Sequence, residues 1–242
     1  MIKVVIPALN EEGNLPLVVK TLLSNFNEEF QISEIIVVDN GSTDRSAEVA
    51  REAGARVVSE PEKGYGAACL AGIEAAGEAE YILFVDADGS DYPEEWLLLA
   101  KAMKEKQADL VIGSRTLNPQ SRVGLQPHQH FGNRLASFLI NIKYPSKSSH
   151  SLSDPVTDLG PFRMIRASVL KDLKMQDRNF GWTVEMQLKA LRMRFKVVEV
   201  AVSYRDRQAG ESKISGTVRG SFMAGKIILT YLFKDFFNLL KF

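Results

Sequence analysis

The sequence predicts an α/β protein: an open, doubly wound, mainly parallel sheet with flanking helices and a C-terminal amphipathic helix. Three observations predict it. Short apolar runs alternate with helical patterns through the first half of the chain. The runs are rich in Val and Ile and nearly continuous in apolar character, as strands buried on both faces are. A polar motif follows each of the first four runs, and in an open parallel sheet the ligand site lies beyond the carboxyl ends of the strands. At 242 residues the chain can bury a substantial core as one domain with a short appendage.

In order, residues 2–6, 34–39, 56–59 and 81–85 read as strands, and 13–26, 44–53, 64–76 and 93–106 as the helices between them. Residues 109–113 form a further strand. Residues 116–130 are polar, with Pro119, Pro127 and several Gln, and read as a long loop. A helix over 131–142 and a second irregular, Ser-rich stretch over 144–158 follow. Residues 162–165, a helix over 183–194 and a strand over 197–202 complete the core. These elements make one domain over residues 1–216. Residues 217–242 form a separate amphipathic helix. Its apolar part from 222 onward carries Lys226, Lys234, Asp235 and Lys241, and each such charge is costly at a bilayer centre. Two readings of that helix stay open: it lies on a membrane surface, or it packs on the domain or on a second subunit.

Composition sets bounds on function. Lys+Arg and Asp+Glu both number 30, so no charge excess points to nucleic acid. The single Cys69 excludes an internal disulfide framework and fits a reducing compartment. The N-terminus enters a strand pattern without the features of a signal peptide, so a cytoplasmic location is expected. His128, His130 and His150 sit in predicted loops and give little support to a zinc site or a catalytic triad.

The motifs at the strand ends carry the chemistry. They run from Pro7 to Glu12, Asp39 to Asp44, Pro61 to Gly66 and Asp86 to Asp91. One such cluster is readily a helix cap, but four on one sheet edge point to a ligand site. In Asp86-Ala87-Asp88, alternate residues of an extended segment share a face, so the two carboxylates converge on one cation. Hard oxygen ligands of this kind suit Mg²⁺ or Mn²⁺. Gly64 and Gly66 make a weak dinucleotide fingerprint and read better as permitting close helix packing, with Lys63 as the residue that meets a ligand. The segment 204–213 gathers cations able to grip phosphates.

Together these segments resemble the family-2 glycosyltransferases of the GT-A fold, and within them the branch similar to dolichyl-phosphate mannosyltransferases. The resemblance covers the chain from Val4 to about Gly216. It implies that Pro7, Ala8, Asn10 and Glu11 cradle the nucleotide and that Asp39 contacts base or ribose. Asn40, Ser42, Lys63 and Ala87 join them on the donor side, while Asp86 and Asp88 match the metal acids. Asp158 opens a segment similar to the acceptor-side motif. Arg205, Arg207, Ser212 and Lys213 resemble a closing loop that holds phosphates, and Arg115 and Arg134 join them as acceptor or phosphate contacts. Ser90 stands where many relatives carry Gln, so a third metal contact falls to Ser90 or Asp91. The processive-synthase motif is missing, which argues against polymer synthesis.

The resemblance implies an inverting displacement in which Asp88 and the metal act at the departing diphosphate. A hydroxyl acceptor needs a base, for which Asp158 stands ahead of Glu185. The expected donor is of GDP-mannose or UDP-glucose type, and the expected acceptor a polyprenyl phosphate met at the cytoplasmic face of a membrane. A soluble or other lipid hydroxyl acceptor, a nucleotidyltransferase and a nucleotide-sugar binding protein are the alternatives, and a homo-oligomer stays open.

Overall fold

The computed structural model describes residues 1–25, 27–119, 121, 127–146, 153–205 and 218–237. β1 (Ile2–Ala8) is the central strand and pairs in parallel with β2 (Ile32–Asp39) and β4 (Tyr81–Phe84); β3 (Arg56–Ser59) extends the sheet beyond β2. On the far side lie β5 (Leu110–Ser114), β6 (Arg163–Arg166) and β7 (Val197–Ala201), giving the order β3-β2-β1-β4-β6-β5-β7. All pairings are parallel except those of β6, which runs antiparallel between β4 and β5.

The strand sequences explain why helices cover both faces. Val4 and Ile6 pack on one side with Leu83 and Val111, while Val5 packs on the other with Ile82, Phe84 and Ile112. The first face is covered by α1 (Leu15–Ser24), α2 (Ser46–Glu52) and α4 (Trp96–Glu105), through Leu15, Val19, Leu99 and Met103. The second is covered by α3 (Tyr65–Ala76), α5 (Pro127–Lys143), α6 (Ala167–Leu173) and α7 (Trp182–Arg192), through Ala68, Ile140, Leu170 and Trp182. α8 (Val218–Phe236) packs against α5 and α7. No helix among the described residues is long and apolar enough to cross a membrane.

Three elements differ from expectation. α5 begins at Pro127, so residues 127–130, read as loop, are helical; proline's fixed φ suits a first helical turn. α6 was not expected. It spans 7 residues, too few for a periodic signal, and is held by burial of Val169, Leu170 and Leu173. The reversal of β6 leaves no trace in an apolar run, because alternation reads the same in both directions.

Candidate functional site

A cavity of about 350 Å³ opens at the carboxyl edge of the sheet, beyond β1, β2 and β4. That volume is in the range of small-molecule sites. The β1 loop contributes Pro7, Ala8, Leu9 and Glu11, and Asn40 and Lys63 close the side next to β2 and β3. Asp86, Ala87 and Asp88 stand beyond β4. The other expected donor residues, Asn10, Asp39 and Ser42, do not line the cavity but brace its loops. Asn10 accepts from the Thr43 N–H at 2.7 Å and its own N–H meets Ser42 Oγ at 2.9 Å, while Asp39 accepts from the Ser42 N–H at 3.0 Å. Asn40 also laces the edge, donating to the carbonyls of Glu60 and Glu62 at 2.9 and 2.7 Å and accepting from the Gly64 N–H at 2.8 Å.

Sequence reasoning missed the far wall. Asn179 and Phe180 line the cavity from the loop between α6 and α7. That loop lies directly on the start of α3, where the Gly66 and Ala67 amides donate to the Asn179 and Arg178 carbonyls at 3.2 and 2.9 Å. A Cβ on Gly64 or Gly66 would sit 2.1 Å from the Arg178 or Asp177 carbonyl, so both positions need glycine. The close approach read from these glycines is thus made to a loop, and two amides at this helix start face protein.

Buried acids hold the loop. Glu185, expected as a possible base, is buried and ion-paired with Lys189 at 2.9 Å. Its carboxylate accepts the N–H groups of Gln176 and Asp177 at 3.1 and 2.8 Å. Asp177 in turn accepts from the N–H groups of Asn179 and Gly181 at 2.8 and 3.0 Å, and from Tyr231 Oη of α8 at 3.0 Å. Glu185 therefore works as a brace for the wall, outside the cavity lining.

The paired acids are themselves oriented. Tyr65, packed edge-on to Trp182, donates to Asp86 Oδ1 at 3.0 Å, and burial with the neighbouring Asp86 raises its pKa well above the usual phenol range. Asp88 Oδ1 accepts the Ser90 N–H at 2.9 Å and the Ser90 hydroxyl. Ser90 is thus turned toward Asp88. Asp91 is 2% exposed and neither carboxylate oxygen has a hydrogen-bond partner. Burial, with Asp86 and Asp88 nearby, lifts its carboxyl well above the usual range. An unpartnered buried carboxyl behind two acids at a cavity mouth fits a site for a hard divalent cation. Among the described residues no three His, Cys, Asp or Glu are grouped to hold an ion alone, so ligand oxygens would complete the shell.

Across the sheet, the cations and acids are committed to one another. Asp158, 0% exposed, is paired with Arg115 through contacts of 2.7 and 2.8 Å and accepts the Arg115 and Leu159 amides. Burial raises its pKa, but the Arg115 charge and hydrogen bonds outweigh burial and hold the carboxyl below the usual range. The expectation of a general base at Asp158 meets a carboxylate already engaged. The Arg115 guanidinium also lies 5.1 Å from the Tyr204 ring centroid. Arg163, fully buried, donates to the carbonyls of Gly160 and Thr183 at 3.1 and 2.9 Å, and burial lowers its pKa to about 10. Glu199 accepts from the Thr157 N–H at 2.8 Å, and burial pushes its pKa up to about 7. Arg205 donates to the Gly89 carbonyl at 2.8 Å and stacks 4.5 Å from the Tyr92 centroid, which pins the loop carrying Asp88. Arg134 is exposed on α5. Arg207, Ser212 and Lys213 lie outside the described residues.

A cavity of small-molecule size at the carboxyl edge of a doubly wound sheet, with oriented acids at its mouth, defines an α/β protein with a ligand site where such sheets bind their ligands. The chain belongs to glycosyl transferase family 2, whose sequence profile matches residues 3–174. It is 38% identical over 227 residues to an uncharacterized glycosyltransferase of Mycobacterium tuberculosis, covering 92% of this chain and 94% of the relative. A dolichyl-phosphate beta-glucosyltransferase of Trichomonas vaginalis is 29% identical over 246 residues, covering 94% of this chain and 72% of that one. Among solved structures, glucosyl-3-phosphoglycerate synthase from Mycobacterium tuberculosis, in complex with Mn²⁺, UDP and glucosyl-3-phosphoglycerate, superposes with a TM-score of 0.71. The identity there is 19%, over 97% of this chain and 79% of that one, and the likeness establishes the GT-A fold.

Proposed function

We propose that the protein is an inverting hexosyltransferase that moves a sugar from a GDP-mannose or UDP-glucose type donor to a polyprenyl phosphate, using Mg²⁺ or Mn²⁺. The observation that carries this reading is the combination of oriented acids at the cavity mouth with base candidates already engaged elsewhere. Asp158 and Glu185 are both committed to buried ion pairs, so proton abstraction from a hydroxyl has no support from either. A phosphate monoester needs no such help, since its second ionisation lies near pH 6. The dolichyl-phosphate relative supports the same acceptor.

In this reading Pro7, Ala8, Glu11, Asn40 and Lys63 receive the nucleotide, and Asn179 and Phe180 form the opposite wall. Asp86 and Asp88 would hold the divalent cation, whose chemistry is to neutralise charge on the departing diphosphate. Tyr65 and Ser90 keep those carboxylates oriented, and Arg205 fixes their loop. Arg134, Arg207, Ser212 and Lys213 supply positive charge and donors for the acceptor phosphate, while Arg115 is held by Asp158. A lipid-borne acceptor places the enzyme on the cytoplasmic face of a membrane.

Asp91 favours a second reading. A buried carboxyl with both oxygens unpartnered can take a proton from a hydroxyl acceptor. The structural neighbour captured with UDP-glucose and phosphoglyceric acid keeps that alternative in view.

The deciding experiment offers GDP-mannose, UDP-glucose and related donors with Mn²⁺ or Mg²⁺, with polyprenyl phosphate or with soluble hydroxyl acceptors. Metal-dependent glycosylated lipid, reduced about 10³-fold or more in Asp88→Ala, supports the proposal. Efficient transfer to a soluble hydroxyl compound, abolished in Asp91→Asn and absent with every polyprenyl phosphate, supports the second reading instead.

A further inference from the structure

α5 and α8 pack against each other and share an unusual charge pattern. Together they carry Arg134, Lys143, Arg219, Lys226 and Lys234 but a single acid, Asp235. Asp235 is buried, ion-paired with Lys143 at 3.1 Å and hydrogen-bonded by Tyr144 Oη at 3.0 Å. Neither helix therefore presents a carboxylate to solvent, in a chain whose acids and bases balance at 30 each.

The same helices expose large apolar side chains. Phe138 and Ile142 stand one turn apart on the outer side of α5. On α8 and just past its end, Leu229, Phe233, Phe236 and Phe237 fall at helical spacing on one stripe, with Phe233 and Phe237 60% and 61% exposed and their rings 4.6 Å apart. Lys226 and Lys234 are exposed on the same helix. The opposite side of α8, with Tyr231, Leu232 and Asp235, faces the protein. Soluble monomers seldom leave such an apolar set uncovered.

We propose that this face docks on an anionic lipid surface, with α8 lying in the interface plane. The aromatic stripe enters the boundary between headgroups and acyl chains, and Lys226 and Lys234 answer headgroup charge. Charge chooses this occupant over a second copy of the chain: a two-fold contact would set cations against cations with no exposed acid to answer them. The inference deepens the membrane placement proposed above by naming the face and the lipid charge, and it does not depend on which acceptor is used.

The test is co-sedimentation of the full chain with phosphatidylcholine vesicles, with and without phosphatidylglycerol, none containing polyprenyl phosphate. Binding about tenfold stronger or more to the anionic vesicles is expected. Phe233→Glu/Phe237→Glu removes the binding, and Lys226→Glu/Lys234→Glu removes the preference for anionic lipid. All four side chains are exposed, and an unchanged thermal midpoint shows that the variants fold; if the Phe pair unfolds, the Lys pair decides. Equal or absent sedimentation with both vesicles overturns the proposal, as does a wild-type dimer that Phe233→Glu/Phe237→Glu dissociates. Loss of transfer to every acceptor while vesicle binding persists would sink the enzymatic reading and leave this one standing.

Discussion

The half of the sheet around β1, β2 and β4 and the half around β5, β6 and β7 handle charge in opposite ways. In the first, Glu11, Lys63, Asp86 and Asp88 face a cavity. In the second, Asp158 is locked to Arg115, Glu199 to Thr157 and Arg163 to backbone carbonyls. The first half presents charge to a cavity, whereas the second uses charge to fix loops in place. Substitutions should therefore separate cleanly into losses of binding and losses of stability.

The largest effect on stability is expected from Asp158→Asn, which leaves the Arg115 guanidinium buried without its partner. Unfolding in urea should show a loss of about 3–5 kcal/mol, with donor affinity in the folded fraction nearly unchanged. A stable variant with weakened donor binding would erase the distinction between the halves. Gly66→Ala drives a Cβ against the Asp177 carbonyl at 2.1 Å and must move the wall of the cavity. Its expected cost is about 1–3 kcal/mol, accompanied by a raised donor KM in steady-state assays. An unchanged KM would show that Asn179 and Phe180 do not meet the donor.

Tyr231→Phe removes only the hydroxyl bonded to Asp177, so a loss of about 1 kcal/mol is expected, with donor KM rising a few-fold at constant kcat. A fall in kcat alone would place α8 in the chemical step and not in donor positioning. An effect that appears only as pH changes belongs to Glu199, whose folded pKa of about 7 lies above its ordinary 4.5. The folded chain holds this proton more tightly than the unfolded chain. Its contribution is thus present below pH 4.5 and lost as pH rises to about 7. Against Glu199→Gln, wild-type stability measured in urea should fall across that window. Parallel curves would show that the carboxyl is not buried in solution.

How much of this could be read from the chain follows the same division. Strands such as β1 and β4 are legible because Val4, Val5, Ile82 and Phe84 give unbroken apolar runs, and the motifs after them lie where ligands bind. The second half hides its design in long-range pairs. Nothing local to Asp158 announces that Arg115, 43 positions earlier, will claim it. Reversal of β6 also inverts the reading rule, because Arg163 at its beginning pairs with Phe84 at the end of β4. The segment from Asp158 therefore precedes its strand and still reaches the carboxyl edge of the parallel strands. Asn179 and Phe180 carried no signal of their own; the usable clue was the pair Gly64 and Gly66, which marked a close approach without naming what approaches.

That pair also orders events in time. The start of α3 emerges early in synthesis, while the loop that covers it follows only after β4, β5 and β6 have been made. A nascent chain can assemble β1 to β4 and bring Asp86 and Asp88 together by short crossovers, but its groove stays open on one side. The far wall of the cavity cannot close until the loop carrying Asn179 and Phe180 has been made, about 90 residues after Asp88.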